Sequence, residues 1–264
     1  MIAKKVFPFV LCVCLLACSR VPLSGRRQLN MLPENTLIDM SLNSYRQFLS
    51  KTPPVANTTA ADQIQRVGNK VSSAVVQYFS KMGNAKRIHD YKWEFNLVND
   101  KTINAWCMPG GKVVVYSGLL PVTSDDAGLA YVMGHEIAHA VARHGNERMS
   151  QILLTQMGGL ALQIALSEKS TETQAALLTA YGVGTTVGVI LPFSRMHESE
   201  ADRLGMVFMA MAGYQPAKAI ETLERMQKAT GKSGVPEFLS THPSNANRIN
   251  EAKAFLPQAE KYLK

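Results

Sequence analysis

The spacing of apolar residues predicts that most of this chain is helical. In residues 34–50 and 60–80, apolar positions recur every three or four residues, which is typical of a helix with one buried face. The second stretch has the more regular stripe, which consists of Ile64, Val67, Val71, Ala74, Val75 and Tyr78. Further helices are expected from Ser124 to about His144, from His197 to about Ala212, from Pro216 to about Ala229 and from Ser244 to Phe255, where Pro257 follows.

Between the second and third of these helices, the pattern changes to that of short strands. Residues 93–97 alternate apolar and polar side chains, as a half-buried strand does. Residues 103–107 and 112–116 are predicted to be two more strands, separated by a turn of one proline and two glycines. The expected fold class is therefore α+β: a mainly helical domain with a small antiparallel sheet beside the helix that begins near Ser124.

Two strongly apolar runs, 152–166 and 175–193, are separated by a short charged segment. The second run could span a membrane on length alone. Glutamines interrupt the first run, however, and many Gly, Ala and Thr residues give the second the character of a packed helix. We therefore expect a helical hairpin, which either covers a functional site or contacts a membrane.

Residues 1–17 are predicted to be a targeting segment. Lys4-Lys5 precede an apolar stretch of about a dozen residues, which is short for a membrane span. The stretch ends in Leu15-Leu16-Ala17-Cys18, which resembles a bacterial lipobox and implies that Cys18 is lipidated and begins the mature chain. Ser19, at the next position, is typical of outer-membrane lipoproteins. The alternatives are a secretory peptide cut near Ala17 and an uncleaved anchor.

The composition of the chain indicates its domain organisation and the kinds of partner it can have. Residues 18–33 lack periodicity and are expected to be a tether, with one domain over 34–264. The net charge is +8, but the basic residues are scattered, so no nucleic-acid partner is expected and weak attraction to anionic lipid is the more natural reading. Of the four cysteines, three lie in or directly after the targeting segment. Cys107 alone cannot form a disulfide framework or a Cys/His zinc site.

The segment His135-Glu136-Ile137-Ala138-His139 carries the strongest chemical signal. Residues i and i+4 share one face of a helix, so His135 and His139 can bind one metal ion. Glu136 can then reach a water held by that metal. The alternative is a helix with two solvent-facing histidines, but the neighbouring residues are apolar and favour burial. The segment therefore predicts a zinc-dependent hydrolase.

A catalytic zinc ion needs a third protein ligand. Glu198 and Asp202 are four residues apart and share one helical face. Glu198 can supply the third ligand, and Asp202 can hydrogen-bond a ligand histidine and fix its tautomer. Taken alone, residues 193–202 would more often be a solvated charged face of a helix than part of a metal site.

The two segments together resemble the M48 zinc peptidases. That family includes the Ste24 prenyl peptidases, the mitochondrial Oma1 type and bacterial periplasmic lipoproteins of the BepA and LoiP kind. The resemblance covers residues 60 to 255 and implies a zincin-like (gluzincin) fold with one zinc ion per chain, although other divalent ions could occupy the same site. It also implies that Glu198 is the third zinc ligand.

The resemblance adds residues that the spacing does not indicate. Family members have an active-site His-Pro and, six residues beyond the histidine, an arginine, which here are His242-Pro243 and Arg248. The resemblance implies that His242 and Arg248 are catalytic and help to stabilise the oxyanion; in some members the histidine instead closes onto zinc as an extra ligand. Without the family, His242 would be an ordinary loop residue. The family also holds extended substrate on an edge strand, which implies that Asn104 and Ala105 bind substrate.

The mechanism expected from these residues is hydrolysis of a peptide bond. Zinc on His135, His139 and Glu198 lowers the pKa of its water, and Glu136 takes the proton and passes it to the leaving amine. The expected substrates are extended or unfolded envelope proteins. Two alternatives remain: a chaperone-like factor, working with the outer-membrane assembly machinery, in which His242 represses the peptidase, and a lipoprotein with structural zinc. The intact Glu136 argues against the last.

Overall fold

The structure is a computed structural model that describes residues 18–229, 242 and 246–263. In chain order its main elements are β1 (Cys18–Arg20), β2 (Arg27–Leu29), α1 (Glu34–Lys51), β3 (Pro54–Val55), α2 (Thr59–Lys81), β4 (Glu94–Val98), β5 (Ala105–Met108), β6 (Lys112–Tyr116), α3 (Asp126–Ala142), α4 (His144–Ala165), α5 (Thr171–Thr185), α6 (Leu191–Met211), α7 (Ala217–Ala229) and α8 (Ala246–Ala259). The mainly helical α+β class is confirmed.

The described chain forms two compact units. The smaller unit contains residues 18–33 and 143–197, and the larger contains 34–142 and 198–263. The physical reason is that residues 143–197 pack on each other and on the N-terminal segment. The boundary crosses α6 between His197 and Glu198.

Helix α2 supports the core of the larger unit. Its six predicted stripe residues are all buried. The helix begins where Thr58 accepts a hydrogen bond from the amide of Ala61 at 3.1 Å, so one of the unpaired amides of the first turn is satisfied. The apolar period therefore sets both which residues form this helix and which of its faces is buried.

The four-stranded sheet has the order β3-β4-β6-β5. Its outer pairs, β3–β4 and β5–β6, are antiparallel, as expected. The central pair, β4–β6, is parallel. The turn at Gly110-Gly111, where both residues have positive φ, reverses the chain between β5 and β6. Strand β6 then lies between β4 and β5, which leaves β5 at one edge of the sheet.

Helix α3 begins and ends one or two residues inside its predicted bounds. Asp125, rather than Ser124, caps it, because the Asp125 carboxylate accepts a hydrogen bond from the Gly128 amide at 2.7 Å. Ser124 has a φ of 69° and belongs to the preceding turn. The helix stops at Ala142 because Arg143 adopts a left-handed conformation with a φ of 63°.

At the other end of the chain, α8 also departs from the expected bounds. Ser244, expected to cap this helix, lies outside the described residues. The helix continues through Pro257 to Ala259 rather than stopping at Phe255.

In the smaller unit, the N-terminal segment is folded and is not a free tether. Strands β1 and β2 form an antiparallel pair. Arg26 makes two hydrogen bonds to the carboxylate of Glu147 in α4, each 2.7 Å long. The amide of Met31 donates to the hydroxyl of Ser150 at 2.9 Å. The sequence pattern of residues 18–33 did not predict this packing on α4, because single side chains, rather than a periodic apolar face, make the contacts.

A buried polar cluster lies at the start of α4. The ring of His144 stacks on that of His197, with centroids 4.3 Å apart. His197 Nε2 is 2.8 Å from the Glu147 carboxylate. The three side chains are buried. Helices α4 and α5 form the expected hairpin, in which the Tyr181 hydroxyl donates to the carbonyl of Thr155 at 2.9 Å.

We expect Glu147→Gln to destabilise the protein in a pH-dependent way. Burial alone would raise the pKa of Glu147, but hydrogen bonds from Arg26 and His197 outweigh it and hold the pKa below its ordinary value. Because the pKa is lower in the folded chain, the carboxylate contributes stability above its unfolded pKa and loses it as the pH falls through the folded pKa. Thermal unfolding at neutral pH should show a loss of about 1–3 kcal/mol.

The same unfolding experiment in acid supplies the check. The difference between Glu147→Gln and the parent should shrink as the pH falls from the unfolded pKa of Glu147 through its lower folded pKa, below which the parent carboxylate is also protonated. Glu168→Gln, at an exposed position in the same unit, is the matched control and should leave stability unchanged at every pH. An equal loss at neutral and acid pH would contradict this account of Glu147.

Candidate active site

Helix α3 presents both histidines of the predicted motif on one face. The Nε2 atoms of His135 and His139 lie 3.1 Å apart. His135 is buried, and His139 is nearly so. The one-turn separation along a helix produces this approach, as the sequence predicts. The motif therefore brings two imidazole nitrogens to one point.

Helix α6 brings Glu198 to the same point. Its carboxylate oxygens lie 3.4 Å from His135 Nε2 and 3.4 Å from His139 Nε2. The two helices can approach closely because glycines face each other where they meet. A Cβ on Gly205 would lie 2.9 Å from the backbone nitrogen of His135, and one on Gly134 would lie 3.0 Å from the carbonyl oxygen of Gly205.

His242 supplies a fourth nitrogen to the cluster. Its Nδ1 atom lies 3.3 Å from His135 Nε2 and 3.1 Å from a carboxylate oxygen of Glu198. One ligand atom from each of His135, His139, Glu198 and His242 lies within 4.8 Å of the other three. Pro243, the other half of the predicted His-Pro pair, lies outside the described residues.

The chemistry of this cluster fits a bound cation. Burial alone would lower the pKa of His135. Hydrogen bonding to Asp202 and Glu198 outweighs this effect and raises the pKa above its ordinary value, to about 9. Burial raises the pKa of the Glu198 carboxyl, yet the charge of His139 and the hydrogen bonds of the histidines hold it far below its usual range. The site thus favours positive charge at its centre. Imidazole nitrogens with a carboxylate oxygen are ligands that zinc takes in proteins.

Asp202 lies behind the cluster, as its spacing from Glu198 predicts. It accepts hydrogen bonds from the Tyr131 hydroxyl at 2.7 Å and from two nitrogens of Arg248 at 2.8 and 2.7 Å. One of its oxygens lies 2.9 Å from His135 Nδ1. The charge of Arg248 and the hydrogen bonds of its neighbours keep the pKa of Asp202 well below its usual range, although burial opposes this. An ionised carboxylate at this place orients the His135 ring.

Arg248 contacts two carboxylates and the backbone carbonyl of His242. Besides Asp202, its guanidinium reaches Glu198 at 3.2 Å, and it is buried. Sequence reasoning found Arg248 only through the family resemblance, and it missed Tyr131. Tyr131 is one helical turn before His135, and that spacing is a signal that could have identified it.

Glu136 is placed for proton transfer. Its side chain is buried, and burial raises the pKa of its carboxyl above the ordinary value. Its Oε1 atom lies 3.4 Å from His242 Nε2 and accepts no hydrogen bond from the described residues. A buried carboxylate oxygen needs a polar partner, so this atom is available to a water or a substrate group.

Asn104 and Ala105 lie at the edge strand next to α3. Ala105 is the first residue of β5, and within the described sheet β5 pairs only with β6. The carbonyl of Asn104 accepts a hydrogen bond from the Tyr116 amide at 3.1 Å, and its side chain accepts one from the Ala105 amide at 2.9 Å. Both residues are buried, and β5 packs on α3.

Comparison with known families decides what kind of site this is. Residues 68–256 match the sequence profile of Peptidase family M48, which covers more than half of the chain. The chain belongs to peptidase family M48. The match contains both segments that the sequence analysis singled out.

Curated relatives agree with this membership. The chain is 32% identical over 241 residues to "Mitochondrial metalloendopeptidase OMA1" of Schizosaccharomyces pombe, covering 91% of this chain and 67% of that protein. It is 38% identical over 175 residues to the protein of the same name in Saccharomyces cerevisiae, covering 64% of this chain and 48% of that one.

A bacterial relative has a different name. The chain is 32% identical over 188 residues to "Beta-barrel assembly-enhancing protease" of Escherichia coli, covering 68% of this chain and 38% of the relative. The chain therefore spans less than half of two of these three relatives. Family membership and the printed names together support a metalloendopeptidase.

We expect Gly205→Ala to separate the two helices that build the metal cluster. The added Cβ meets backbone atoms of His135, which cannot rotate away, so the helices must shift. Thermal unfolding should show a loss of about 1–3 kcal/mol, and zinc titration should show weaker binding.

Gly184→Ala is the matched control for Gly205→Ala, since a Cβ there meets nothing within 4 Å. Alanine is the better helix former, so this control should be neutral or slightly stabilising. If Gly205→Ala binds zinc as tightly as the parent, the close approach of α3 and α6 does not set the ligand positions.

Proposed function

We propose that this protein is a zinc-dependent endopeptidase of the bacterial cell envelope that cleaves misfolded or unfolded envelope proteins. The observation that carries the proposal is the convergence of His135, His139 and Glu198 beside the buried carboxylate of Glu136. Membership of peptidase family M48 supports the hydrolytic class. A purely structural zinc site would have no use for a general base at this position.

Each residue has a role in the proposed reaction. His135, His139 and Glu198 hold zinc, and Asp202 keeps His135 in the tautomer that presents Nε2 to it. A zinc ion in such a site lowers the pKa of water toward neutrality and stabilises negative charge on a carbonyl oxygen. Arg248 is a positioning residue, because its contacts run to Asp202 and Glu198.

Glu136 acts as the general base and then as the general acid. It takes a proton from the attacking water while the carbonyl carbon of the peptide bond becomes tetrahedral, and it returns the proton to the leaving amine. The raised pKa that burial gives its carboxyl suits both steps, because the proton must be accepted and then released.

The proposed substrates are extended segments of protein. An edge strand offers unpaired backbone N–H and C=O groups, so a peptide can bind beside β5 by strand addition. Binding through the backbone selects for extended conformation more than for particular side chains. This is the reason for proposing misfolded or unfolded proteins as substrates, with residues 104 and 105 at the binding edge.

The proposed location is the periplasmic face of the outer membrane, with acyl chains on Cys18 as the anchor. The lipobox-like sequence Leu15-Leu16-Ala17-Cys18, the serine that follows it and the bacterial relative support this part of the proposal. More than one acyl chain would be required for stable attachment. The mitochondrial relatives are named for another compartment, so the location rests mainly on the N-terminal sequence.

One observation favours a second candidate function, a chaperone-like assembly factor with repressed peptidase activity. His242 Nδ1 lies among the three proposed ligand atoms, at 3.1 to 3.3 Å from Glu198 and His135. A fourth protein donor there would take the position that a catalytic site leaves open for water. In this arrangement the protein binds unfolded clients at β5 without cleaving them.

We expect Glu136→Gln to abolish cleavage of an unfolded protein such as casein while leaving zinc bound. The amide cannot accept the proton, so the rate should fall by about 10²–10⁴ or more, and a chelator should abolish cleavage by the parent. Glu172→Gln, at an exposed position, is the matched control and should cleave normally. Equal cleavage by Glu136→Gln and the parent would remove Glu136 from the mechanism.

His242→Ala distinguishes the two functions, because the repressed form predicts a higher rate of casein cleavage once the fourth donor is removed from the cluster. His89→Ala is the control, since His89 is exposed and its ring lies 3.0 Å from the neighbouring Asp90, away from the cluster in the sequence. Initial rates at equal zinc content decide between the two functions. A fall of about 10²–10³ would instead mean that His242 stabilises the oxyanion and that the repressed form is wrong.

A further inference from the structure

The hairpin of α4 and α5 exposes an unusual amount of apolar surface. Its exposed large apolar side chains, counted through the start of α6, are Met149, Ile152, Leu153, Leu154, Met157, Leu160, Ile164, Leu177, Val183, Val187 and Leu191. Ile164 alone is 74% exposed. Exposed apolar side chains in such number on two neighbouring helices mark an interaction site.

The second half of this hairpin has the composition of a membrane span. The helical run from Thr171 to Met211 contains an 18-residue window with a mean hydropathy of 1.6, and none of that window is buried. A core helix of a soluble protein could be equally apolar, but it would be covered by other elements. Within the described structure this window is not covered.

Charges are confined to the two ends of the hairpin. No Asp, Glu, Lys or Arg occurs in 149–167 or in 173–194. These stretches hold about 19 and about 22 residues, which as helices measure about 28 and 33 Å. The hydrocarbon core of a bilayer is about 30 Å thick. The hairpin therefore has the length and the charge distribution of a bilayer-spanning pair of helices.

The charges at each end suit the headgroup layers. Glu168, Lys169 and Glu172 lie at the turn of the hairpin. Arg148 and Arg195 lie at the opposite end, where the two helices enter the rest of the smaller unit, and both are exposed. Arginines at this place can pair with anionic lipid headgroups.

Several polar groups within the hairpin have partners inside it. The hydroxyl of Tyr181 donates to the carbonyl of Thr155, and the hydroxyl of Thr155 donates to the carbonyl of Ile152 at 2.8 Å. The hydroxyls of Thr185 and Thr186 both donate to the carbonyl of Gly182. Internal pairing is what a hydrocarbon environment requires. The exposed amides of Gln156 and Gln163 oppose insertion, but they are outnumbered by the apolar side chains.

The folded N-terminal segment links this hairpin to the proposed lipid anchor. Residues 18–33 belong to the same compact unit, and their contacts run to Glu147 and Ser150 in the first two turns of α4. Cys18 is thus part of the unit at the end of the hairpin that carries Arg148. Acyl chains on Cys18 and the hairpin would enter one bilayer, although the apolar surface of the hairpin is present whether or not Cys18 is acylated.

We propose that the hairpin formed by residues 149–194 inserts into the hydrocarbon core of a phospholipid bilayer, with Arg148 and Arg195 at the near headgroups and the charged turn at the far headgroups. This goes beyond the proposed peptidase function and adds a protein-made membrane anchor. A second copy of the chain or a soluble partner could cover this surface instead, and the test distinguishes both from a bilayer.

The test places a tryptophan in the hairpin of the full chain. Met157→Trp lies near the middle of α4 at a position that is 55% exposed, and Met82→Trp is the matched control in the larger unit at a position that is 63% exposed. Both variants keep Trp93 and Trp106 as a common background. Each is reconstituted into phosphatidylethanolamine–phosphatidylglycerol vesicles whose acyl chains carry bromine at the bilayer centre or near the headgroups.

Bromine at the bilayer centre should quench Met157→Trp about threefold more than Met82→Trp, because the hairpin position lies at mid-depth in the hydrocarbon. Equal quenching of the two variants would overturn the proposal. That result is expected if a second copy of the chain or a soluble partner covers the apolar surface. Quenching of Met157→Trp only by bromine near the headgroups would also overturn it, because the hairpin would then lie on the membrane surface.

A second pair of substitutions separates insertion from misfolding. Leu160→Asp added to Met157→Trp should remove the extra quenching, since a carboxylate in the hydrocarbon is strongly unfavourable. Met40→Asp, at a similarly exposed apolar position in the larger unit, should leave it unchanged. Circular dichroism and casein cleavage show whether each variant folds. Retention of the extra quenching in a folded Leu160→Asp variant would contradict insertion.

Discussion

The buried carboxylate of Asp202 is the interaction on which the larger unit depends most. It joins three helices, because it is part of α6 and contacts Tyr131 and His135 in α3 and Arg248 in α8. A buried charge without partners would be costly, so these contacts must form together or not at all. Removal of one partner from such a buried pair typically costs about 3–5 kcal/mol. The arrangement of the metal cluster follows from this constraint.

Three of the four residues of the cluster, all but His242, lie on two helices that approach through glycines and are fixed by that carboxylate. The approach of Gly134 to Gly205 brings Glu198 to the two histidines of α3. Asp202 sets the ring of His135, and Arg248 holds both Asp202 and Glu198. Rigid placement of this kind allows a metal ion to bind without reorganisation of its ligands. Glu136 lies next to the site because it follows His135 in the same helix.

The sequence predicted the parts of this structure that depend on position within one element. The i, i+4 spacings were sufficient to predict that His135 shares a helical face with His139 and that Glu198 shares one with Asp202. Helix geometry alone decides which face each residue occupies. The position of His242 could not come from spacing, since it depends on how distant segments pack. The family resemblance supplied it.

Long-range packing also explains the predictions that the structure changed. The parallel pairing of β4 with β6 depends on where β6 enters the sheet and not on the alternation within either strand. The sequence predicts a tether for residues 18–33 because their contacts to α4 come from isolated polar side chains, such as that of Arg26, and not from a periodic pattern. His144, near which the sequence predicts the end of a helix, is buried against His197 at the start of α4. None of these three contacts has a local sequence signature.

The central claim is that His135, His139 and Glu198 hold one zinc ion at a hydrolytic site. Zinc-edge X-ray absorption of the purified protein, combined with its metal content, tests this most directly. The account predicts one zinc ion per chain with only nitrogen and oxygen ligands, at the distances of about 2.0–2.2 Å that imidazole and carboxylate give. A sulfur ligand, or purified protein that neither contains nor takes up zinc, would contradict it.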